Sequence, residues 1–346
     1  MPVISAAKLK KLSVSLFEKM GVPQDVAQVV SSSTVENCLY GHDTHGMILI
    51  PRFIRDLESG KIKPDAKSEV VKKSVGTAWI DGHRGFGQVT MIEAMKTAVD
   101  MARGPGVAAV TVTNCNHVGI LWSYARTAAA AGMVGIIWCA SGPQGGLVVP
   151  YGGIEKAIGA NPMAVGIPGG EMSPLVLDIS TSAVAGGRVI LHAQNNQEIP
   201  LGWVLDADGK PTTDPSKLHT EEFGVVGSLL PMAGYKGYGL AMVIELLAGV
   251  LTGYGPAYTP DYQEGNGIFI IVVDVEKFLP LAAFGKQADA LFRHVKSVST
   301  DSETEEIFIP GELEYRTREK REREGIPVPD AVWADITAIA GKLGVS

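Results

Sequence analysis

The sequence predicts an α/β protein, because short β-branched segments alternate with helical ones through the middle of the chain. Residues 107–113 combine valines and threonines and precede a polar turn, which is typical of a buried strand. Residues 268–275 give the clearest strand of all. Strands that alternate with helices favour an α/β architecture. With 346 residues, 46% of them hydrophobic, the chain can bury a substantial core.

Helices are predicted at both ends of the chain. Leu9, Leu12 and Leu16 fall on one face of a first helix, and Pro23 suits the first turn of a second. We expect the helical start and end to pack together, because chain termini often lie close. In the middle, a helix at 88–103 is expected to turn Ile92 inward. The other predicted elements, in order, are strands at 77–81, 134–139 and 175–179 and helices at 121–131, 236–251, 286–298 and 330–343.

The composition argues against several classes of function. A formal net charge of −7 gives no electrostatic footprint for nucleic acid or an anionic membrane. The first residues lack the pattern of a signal peptide, and the longest apolar stretch is interrupted by Glu245 and too short to span a bilayer. The 3 cysteines share no close spacing, which argues against a disulfide framework or a zinc ribbon. We therefore expect a cytoplasmic protein that binds neither nucleic acid nor membrane.

The usual dinucleotide signature is missing. Several Gly-x-Gly pairs occur, but none has a third glycine three residues further on, and the P-loop pattern is missing too. The Rossmann fingerprint needs those glycines to bring backbone against a pyrophosphate. Any dinucleotide must therefore be held in another way.

The histidine loop, residues 41–46, is the densest cluster of titratable groups in the chain. It places His42, Asp43, Thr44 and His45 between two glycines. Histidine suits proton transfer near neutral pH, so catalysis or cofactor contact is one interpretation. A capping turn, in which Asp43 and Thr44 bind backbone N–H groups, is a second. A zinc site made by His42, Asp43 and His45, as in a metal-dependent hydrolase, is a third.

A second cluster follows the predicted strand 107–113 and contains His117. Ligands usually bind at the carboxyl ends of strands in open α/β sheets. His117 there, flanked by Asn114 and Asn116, is a candidate general acid or base, and Gly119 could open a phosphate-binding helix. An ordinary surface turn is the alternative. A Cys115–His117 nucleophile pair lacks a third, orienting group.

Weaker candidates lie further along the chain. Asp178 could accept a hydrogen bond from a ribose hydroxyl and Ser180 to Ser182 could donate to phosphate, although a helix N-cap at a serine or threonine of this segment is the alternative. Lys236, between glycines at a helix start, suits an anionic ligand, but a lone lysine is usually just solvated. Asn161 could bind substrate or simply form a turn. The charged run 312–324 is expected to be a solvated helix face.

In their order along the chain, these clusters resemble the type 2 malate/L-lactate dehydrogenase family, whose nucleotide fold is not Rossmann. The likeness runs from about residue 4 to residue 343. The elements that carry it are Gly-His-Asp-Thr-His-Gly at 41–46, Gly-Phe-Gly-Gln at 85–88, Asn-Cys-Asn-His-Val-Gly at 114–119, Gly-Ala-Asn-Pro at 159–162, Leu-Asp-Ile-Ser-Thr-Ser at 177–182, Ile-Pro-Leu-Gly-Trp at 199–203, Asp-Gly-Lys-Pro-Thr at 208–212, Tyr-Lys-Gly-Tyr-Gly-Leu at 235–240 and Ile-Pro-Gly-Glu at 309–312.

The resemblance implies a fold and a reaction. The fold is a mixed-sheet α/β/α core with non-Rossmann nucleotide binding, plus a helical region built from both termini. Residues 1–75 and 285–346 would form the helical, dimerisation region, and residues 76–284 the nucleotide- and substrate-binding region. Members are homodimers that reduce 2-oxo acids with NADH or NADPH. Some reduce cyclic imino acids, so a cyclic ketimine reductase is the alternative within this class, and a nucleotide-binding regulator without catalysis is a third.

The resemblance also implies site residues. His117 falls where the family's acid/base histidine lies, and His45 meets the nicotinamide end of the cofactor. In some members the second histidine acts as proton donor with the preceding hydroxyl, here Thr44. No metal is implied. The residues expected to contact NAD or NADP are His45, Gly119, Ile120, Leu121, Val176, Leu177, Asp178, Ile179, Ser180, Tyr235, Lys236, Asn266, Gly311, Glu312, Leu313 and Glu314.

One position departs from the family pattern. Many members have an arginine where this chain has Leu49, and that arginine would pair with the substrate carboxylate. An aliphatic chain cannot replace a bidentate clamp. We expect Arg52, Arg84 or a group of the partner subunit to bind the carboxylate instead, with Arg52 and Asn161 as the predicted substrate contacts. Leu49 also resembles the subgroup that acts on larger hydroxycarboxylates.

Overall fold

The computed structural model describes residues 1–220, 224–256, 258, 259, 262, 264–302 and 304–345. In that part of the chain the α-helices are α1 Ala6–Lys19, α2 Gln24–Leu39, α3 Ile50–Glu58, α4 Gly87–Ala102, α5 Trp122–Ala130, α6 Gly186–Gln194, α7 Tyr235–Ile244, α8 Leu281–Lys296, α9 Glu312–Glu324 and α10 Asp330–Leu343. The strands are β1 Val3–Ile4, β2 Glu69–Lys73, β3 Thr77–Asp81, β4 Val107–Cys115, β5 Met133–Ser141, β6 Met163–Ile167, β7 Leu175–Ile179, β8 Val204–Leu205, β9 Pro211–Thr212, β10 His219–Thr220, β11 Gly224–Val225, β12 Ser228–Leu229, β13 Asn266–Asp274 and β14 Ile326–Pro327.

A 7-stranded mixed sheet forms the centre of the molecule. Its strand order is β2-β3-β4-β13-β5-β6-β7. The pairing of β3 with β4 is parallel, and the other pairings are antiparallel. The central strand β13 carries β-branched residues on its buried face, which suits a strand covered on both sides.

Helices cover both faces of this sheet. Ile268, Ile270 and Val272 of β13 belong to a core that includes buried residues of α4 and α5. On the other face, Phe269 packs towards Ile244 and the π-helical turn Glu245–Val250 that continues α7. The alternation along one strand thus separates two cores, as the pleat requires. The predicted α/β/α mixed-sheet core is confirmed.

A second, helical core joins the two ends of the chain. Helices α1, α2, α3 and α10 pack together around side chains such as Leu9, Leu16, Phe53 and Ile336, all less than 2% exposed. Strand β1 pairs with β14, with Ile4 opposite Ile326. The helical region built from both termini is therefore present, while the exact boundaries 1–75, 76–284 and 285–346 stay a prediction.

A third, smaller core was not predicted. It packs Val148, Val189 and Leu229 among short strands and α6, between β5 and α7 in the sequence. The sequence reading also missed α3, β2 and β6. Ile92 is 42% exposed on α4, so its predicted inward direction was wrong. No helix in the described part of the chain is long and apolar enough to cross a membrane.

Candidate active site

Two histidines from distant parts of the chain meet at the boundary between the sheet and the helical region. The rings of His45 and His117 are stacked, with centroids 5.5 Å apart and an interplanar angle of 23°. The hydroxyl of Thr44 lies 3.0 Å from Nδ1 of His45. The sequence predicted all three residues as catalytic, and the fold brings them together.

The histidine loop is a tight turn after α2. Asp43–His45 form one turn of 3-10 helix, and the amide of Asn37 donates to the carbonyl of His45 at 2.8 Å. A Cβ on Gly46 would overlap the Cys38 sulfur, so only glycine fits there. Asn37 was not among the residues predicted from the sequence. It lies seven residues after Val30 and three after Thr34 on the buried stripe of α2, and a polar residue on such a stripe was the available signal.

His117 is held by backbone rather than by its neighbouring amides. Asn116 donates to the carbonyls of Arg84 and Gly85 at 2.8 and 2.9 Å, which anchors the strand end. The predicted orientation of the ring by flanking amides is therefore not what the structure has. The N–H of Gly119 donates to Nδ1 of His117 at 3.2 Å. Since Nδ1 accepts, the neutral ring carries its proton on Nε2.

Burial sets the proton affinity of both rings. It is the largest cause that lowers the pKa of His117 well below its ordinary value, followed by His45, Arg52 and Lys61. Burial also lowers the pKa of His45 to about 4, with smaller effects from His42 and Arg52. Like charges so close disfavour each other, so at most one of the two rings is positively charged at a time.

Cationic side chains surround this pair, although the family's arginine position is apolar. Leu49 packs against the helical core. Arg52, on the first turn of α3, has its Nε 3.6 Å from Asp56 and a side chain 40% exposed. Arg84 instead donates to the carbonyl of Glu264 at 3.3 Å. Arg52 is therefore the arginine whose charge acts on both histidines.

Asn161 lies below the surface, with its amide occupied. Its oxygen accepts from the N–H of Ser141 at 3.2 Å, and its nitrogen donates to the Ala241 carbonyl and to the Glu245 carboxylate at 2.6 Å. The residue is 0% exposed. These bonds tie the turn after β5 to α7.

Most of the predicted cofactor residues lie on or after β4, β7 and β13 and at the start of α9, and hydrogen bonds link these segments. The N–H of Val118 donates to Asn266 at 3.1 Å, which links the His117 segment to β13. The N–H of Val176 donates to the Pro310 carbonyl at 3.0 Å, and Gly311 lies against the same valine. Residues 119–121, 176–180, 266 and 311–314 therefore adjoin one another, although helix α5 begins at Trp122 and not at Gly119.

Asp178 connects two of these segments. Its carboxylate accepts from the N–H of Trp122 at 2.8 Å, at the start of α5. Burial raises its pKa to about 6, against the lowering effect of the Trp122 and Leu121 N–H groups. Asp178 thus caps a helix elsewhere in the chain. The N-cap predicted at a serine or threonine of residues 180–182 is wrong, because the next helix, α6, begins at Gly186 and has Ala185 as its N-cap.

The segment with Tyr235 and Lys236 lies beside the end of β7. Met232 donates to the Thr181 carbonyl at 2.8 Å, and α7 begins at Tyr235. A Cβ on Gly237 would overlap the carbonyl of Met232 and crowd that of Thr181. The glycine therefore brings the start of α7 against residues 180–182.

The structure argues against the zinc site, the cysteine nucleophile and the fully solvated helix. Both carboxylate oxygens of Asp43 accept from Arg321, at 2.6 and 2.9 Å. This carboxylate is therefore paired with an arginine, whereas a zinc site would need it to bind the metal together with His42 and His45. In the part of the chain that the structure describes, no group of three or more His, Cys, Asp or Glu could hold a metal. Burial raises the pKa of the Cys115 thiol to about 12, which does not suit a nucleophile. The run 312–324 is a helix, but it is not solvated all round, since Arg321 reaches the histidine loop.

The residues present suit a dinucleotide. The start of α5 and the carboxylate of Asp178 are joined by a hydrogen bond, the hydroxyl of Ser180 lies two residues further on, and the carboxylate of Glu314 lies 3.8 Å from His42 of the histidine loop. Together they offer donors and acceptors for ribose and phosphate groups. The fold and this arrangement define an α/β protein whose paired histidines could exchange a proton and whose strand ends could hold a nucleotide without the Rossmann glycines.

Comparisons with known proteins identify the family. The family model for malate/L-lactate dehydrogenase matches residues 4–337. A malate dehydrogenase of Pyrococcus horikoshii is 34% identical, over 98% of this chain and 94% of its own. Hydroxycarboxylate dehydrogenase B of Escherichia coli is 32% identical, over 98% of this chain and 94% of its own.

Solved structures agree with these matches. One from E. coli, described as a malate/lactate dehydrogenase, has a TM-score of 0.93 and 31% identity, covering 100% of this chain and 96% of that one. The Δ1-piperideine-2-carboxylate reductase of Pseudomonas syringae has a TM-score of 0.87 and 28% identity, covering 98% and 100%. The chain belongs to the malate/L-lactate dehydrogenase family. The predicted class, an oxidoreductase of 2-hydroxy acids that uses a nicotinamide cofactor, is confirmed.

Proposed function

We propose that the enzyme interconverts a 2-oxo acid and a 2-hydroxy acid with His117 as the group that moves the proton. The stacked, part-buried pair of His117 and His45 carries this proposal. The nicotinamide, when bound, supplies or accepts the hydride at C2 of the substrate. The protein's own part is to bind the acid, hold it against the histidines and exchange one proton with its oxygen.

His117 suits this role because of the atom that it presents to the site. With Nδ1 accepting from Gly119, the neutral ring presents Nε2–H, which donates a hydrogen bond to the substrate oxygen. Burial keeps this ring neutral at pH 7, and it acts as a base at Nε2 once its own proton has moved to Nδ1, which requires the Gly119 N–H to release Nδ1. For reduction, an anionic substrate bound beside His117 would raise the pKa of the ring, so that the ring carries the proton that it then donates to the substrate.

His45 and Thr44 complete the pair. The Thr44 hydroxyl lies within hydrogen-bond distance of Nδ1 of His45 and fixes its orientation. His45 faces His117 on one side and is held from behind by Asn37 through its carbonyl. We assign His45 to the nicotinamide end of the site, where it also receives or passes the one additional proton that the pair can hold.

Arg52 is the proposed ligand of the substrate carboxylate. Its charge lowers the pKa of both histidines, and this proximity to the pair supports the assignment. Leu49 stands where the family pattern has an arginine and packs against the helical core, and its likeness to the subgroup that acts on larger hydroxycarboxylates supports a larger acid as substrate. Asn161 has no free amide group in this structure and is assigned to support the turn after β5.

The proposed cofactor contacts are the adjoining strand ends described above, with Tyr235 and Lys236 at their edge. Asp178 and Glu314 place carboxylates there, and carboxylates accept from ribose hydroxyls but repel a 2′-phosphate. We therefore propose NAD in preference to NADP. A titration of NADH and NADPH by cofactor fluorescence tests this directly, and tighter binding of NADPH would contradict it.

A cyclic imine is the alternative substrate, supported by the likeness to the P. syringae reductase. An imine also takes a hydride, but it arrives already protonated at nitrogen. The test is a spectrophotometric screen of 2-oxo acids and cyclic imino acids, each with NADH and NADPH. We expect turnover of 2-oxo acids and a strong loss of kcat in His117→Asn with NADH binding retained. Wild-type turnover by that variant would remove His117 from the mechanism.

A homodimer is also proposed. Along α7 and the turn after it, Met242, Val243, Leu246, Val250 and Leu251 are 36 to 58% exposed. A continuous apolar face of this kind is usually covered by a partner. This face lies outside residues 1–75 and 285–346, the region that the resemblance implied for dimerisation. Light scattering tests the assembly, and Leu246→Glu should yield monomers.

A further inference from the structure

One face of the charged helix α9 runs along the histidine loop. The contacting residues are three or four positions apart, so they form a single stripe of the helix. Its first turn holds Gly311 to Glu314, which adjoin β7. The contacts are Glu314 3.8 Å from Nε2 of His42, Thr317 against Gly41, Arg318 with the Tyr40 hydroxyl and Arg321 with Asp43.

The strongest of these contacts is the pair of Arg321 and Asp43. Two parallel hydrogen bonds of 2.6 and 2.9 Å join the guanidinium to both carboxylate oxygens. Arg321 also donates to the carbonyl of Cys38 in the last turn of α2. Its side chain is only 16% exposed. One planar group thus fixes the end of a helix and the loop that follows it, which lysine cannot reproduce.

Asp43 belongs to the same turn as His45. The N–H of His45 donates to the His42 carbonyl at 2.9 Å, and that of Gly46 donates to the Asp43 carbonyl at 3.2 Å. A turn closed by its own hydrogen bonds moves as a unit. Where Arg321 holds Asp43, it therefore also holds the Thr44–His45 pair relative to His117.

We propose that Arg321 is a positioning residue, which sets the distance and stacking of His45 against His117 through Asp43. This inference rests on the proposed function, since it assigns the loop a place in proton transfer. Arg321 touches neither histidine. Its effect is expected on the geometry of the pair and not on cofactor affinity, because the proposed cofactor contacts on α9 end at Glu314.

The test uses Arg321→Gln, Asp43→Asn and the double variant, with Arg323→Gln as a matched control on the same helix, where Arg323 is exposed. We expect kcat to fall about tenfold to hundredfold in each single variant, since a displacement of about 1 Å costs up to that much. The dissociation constant of NADH should change less than about threefold. The double variant should lose no more than either single one, because both remove the same pair.

A second readout does not depend on activity. Hydrogen–deuterium exchange of peptides covering residues 38–47 should be faster in Arg321→Gln and in Asp43→Asn, and unchanged in the control. Arg321→Lys should restore part of the protection. A purely structural role would lower the melting temperature while kcat per folded enzyme stayed at the wild-type value, and that result overturns the proposal. If Arg321→Gln does not fold, Asp43→Asn carries the same expectations.

The two proposals can fail separately. If the wild-type enzyme turns over no 2-oxo acid or imine, the proposed function fails, whatever the exchange rates show. If the wild type is active and the Arg321 and Asp43 variants keep its kcat and its loop protection, the positioning role fails alone.

Discussion

The carboxylate of Asp178, at the end of β7, accepts a hydrogen bond of 2.8 Å from the N–H of Trp122, at the start of α5. This contact joins residues 176–180 to residues 119–121, which are both proposed cofactor segments. Asp178 itself lies on the other side of the central strand β13 from β4, the strand that precedes His117, since β7 and β4 are separated by β13, β5 and β6. The site is thus assembled from strand ends across most of the sheet.

Asp178→Ala should reduce both stability and cofactor affinity. The free energy of unfolding is expected to fall by about 1–2 kcal/mol, as for the loss of a helix cap. NADH should bind at least about tenfold more weakly, because residues 119–121 lose their tie to β7. Denaturant unfolding and NADH fluorescence titration measure the two effects. Asp178→Asn keeps the acceptor for Trp122 and should keep stability; unchanged NADH binding in both variants would contradict a cofactor role.

His45→Gln should move the acid limb of the pH profile. For oxidation of a 2-hydroxy acid, His117 must be neutral, so kcat/KM falls as pH drops through its pKa. His45 is one of the causes that lower that pKa. Without it the pKa of His117 rises, and the acid limb should appear at higher pH. The measurement is kcat/KM from pH 5 to 9. His294→Gln, an exposed site on α8, should keep the wild-type profile.

Arg52→Leu should raise KM for the 2-oxo acid. A hydrogen bond to a charged group contributes about 1.5–3 kcal/mol, which predicts a loss in kcat/KM of about tenfold to 150-fold. The matched control is Arg55→Leu, which removes another arginine of the same helix, at an exposed position. Steady-state kinetics with saturating NADH measures both variants. Equal losses in the two would show that general charge, and not a carboxylate contact, is responsible.

Gly87→Ala should disturb His117 without touching it. A Cβ at Gly87 would overlap the carbonyl oxygens of Asn116 and His117, so the start of α4 and the strand end would have to separate. We expect the free energy of unfolding to fall by several kcal/mol, or kcat to fall, or both. Thermal unfolding measures the first effect and steady-state kinetics the second. Gly341→Ala is the control, since nothing lies within 4 Å of the new Cβ there, and it should slightly stabilise helix α10. A Gly87→Ala enzyme that melts and turns over like the wild type would contradict the close packing.

The sequence predicted those features whose cause is local. Strands 77–81 and 175–179 and the helix 330–343 have the predicted bounds, because their apolar periods are uninterrupted. His117 could be placed at a strand end for the same reason. The edge strand β2 could not be found, since all of its residues are exposed and leave no alternating pattern.

Contacts between distant segments could not be predicted from spacing. The partner of Asp43 is Arg321, 278 residues away, and it sits in a run of charges that gives no sign of which residue points inward. Asp178 shows the same limit: the sequence predicted it as an acceptor for a ribose hydroxyl, but the helix that it caps lies 56 residues earlier in the chain. In both cases the tertiary fold decides which polar side chain is buried and therefore which one must be paired.

The central position of β13 has a consequence for how the protein folds. Strands β4 and β5 flank it and never pair with each other, so the sheet has a gap between them until residues 266–274 have left the ribosome. Most of the chain, including both histidines, is synthesised before that strand can insert. Pairings of such long sequence separation make folding slow. The nascent enzyme should thus depend on protection of two open strand edges, and its catalytic pocket should form late, in one step with the closure of the sheet.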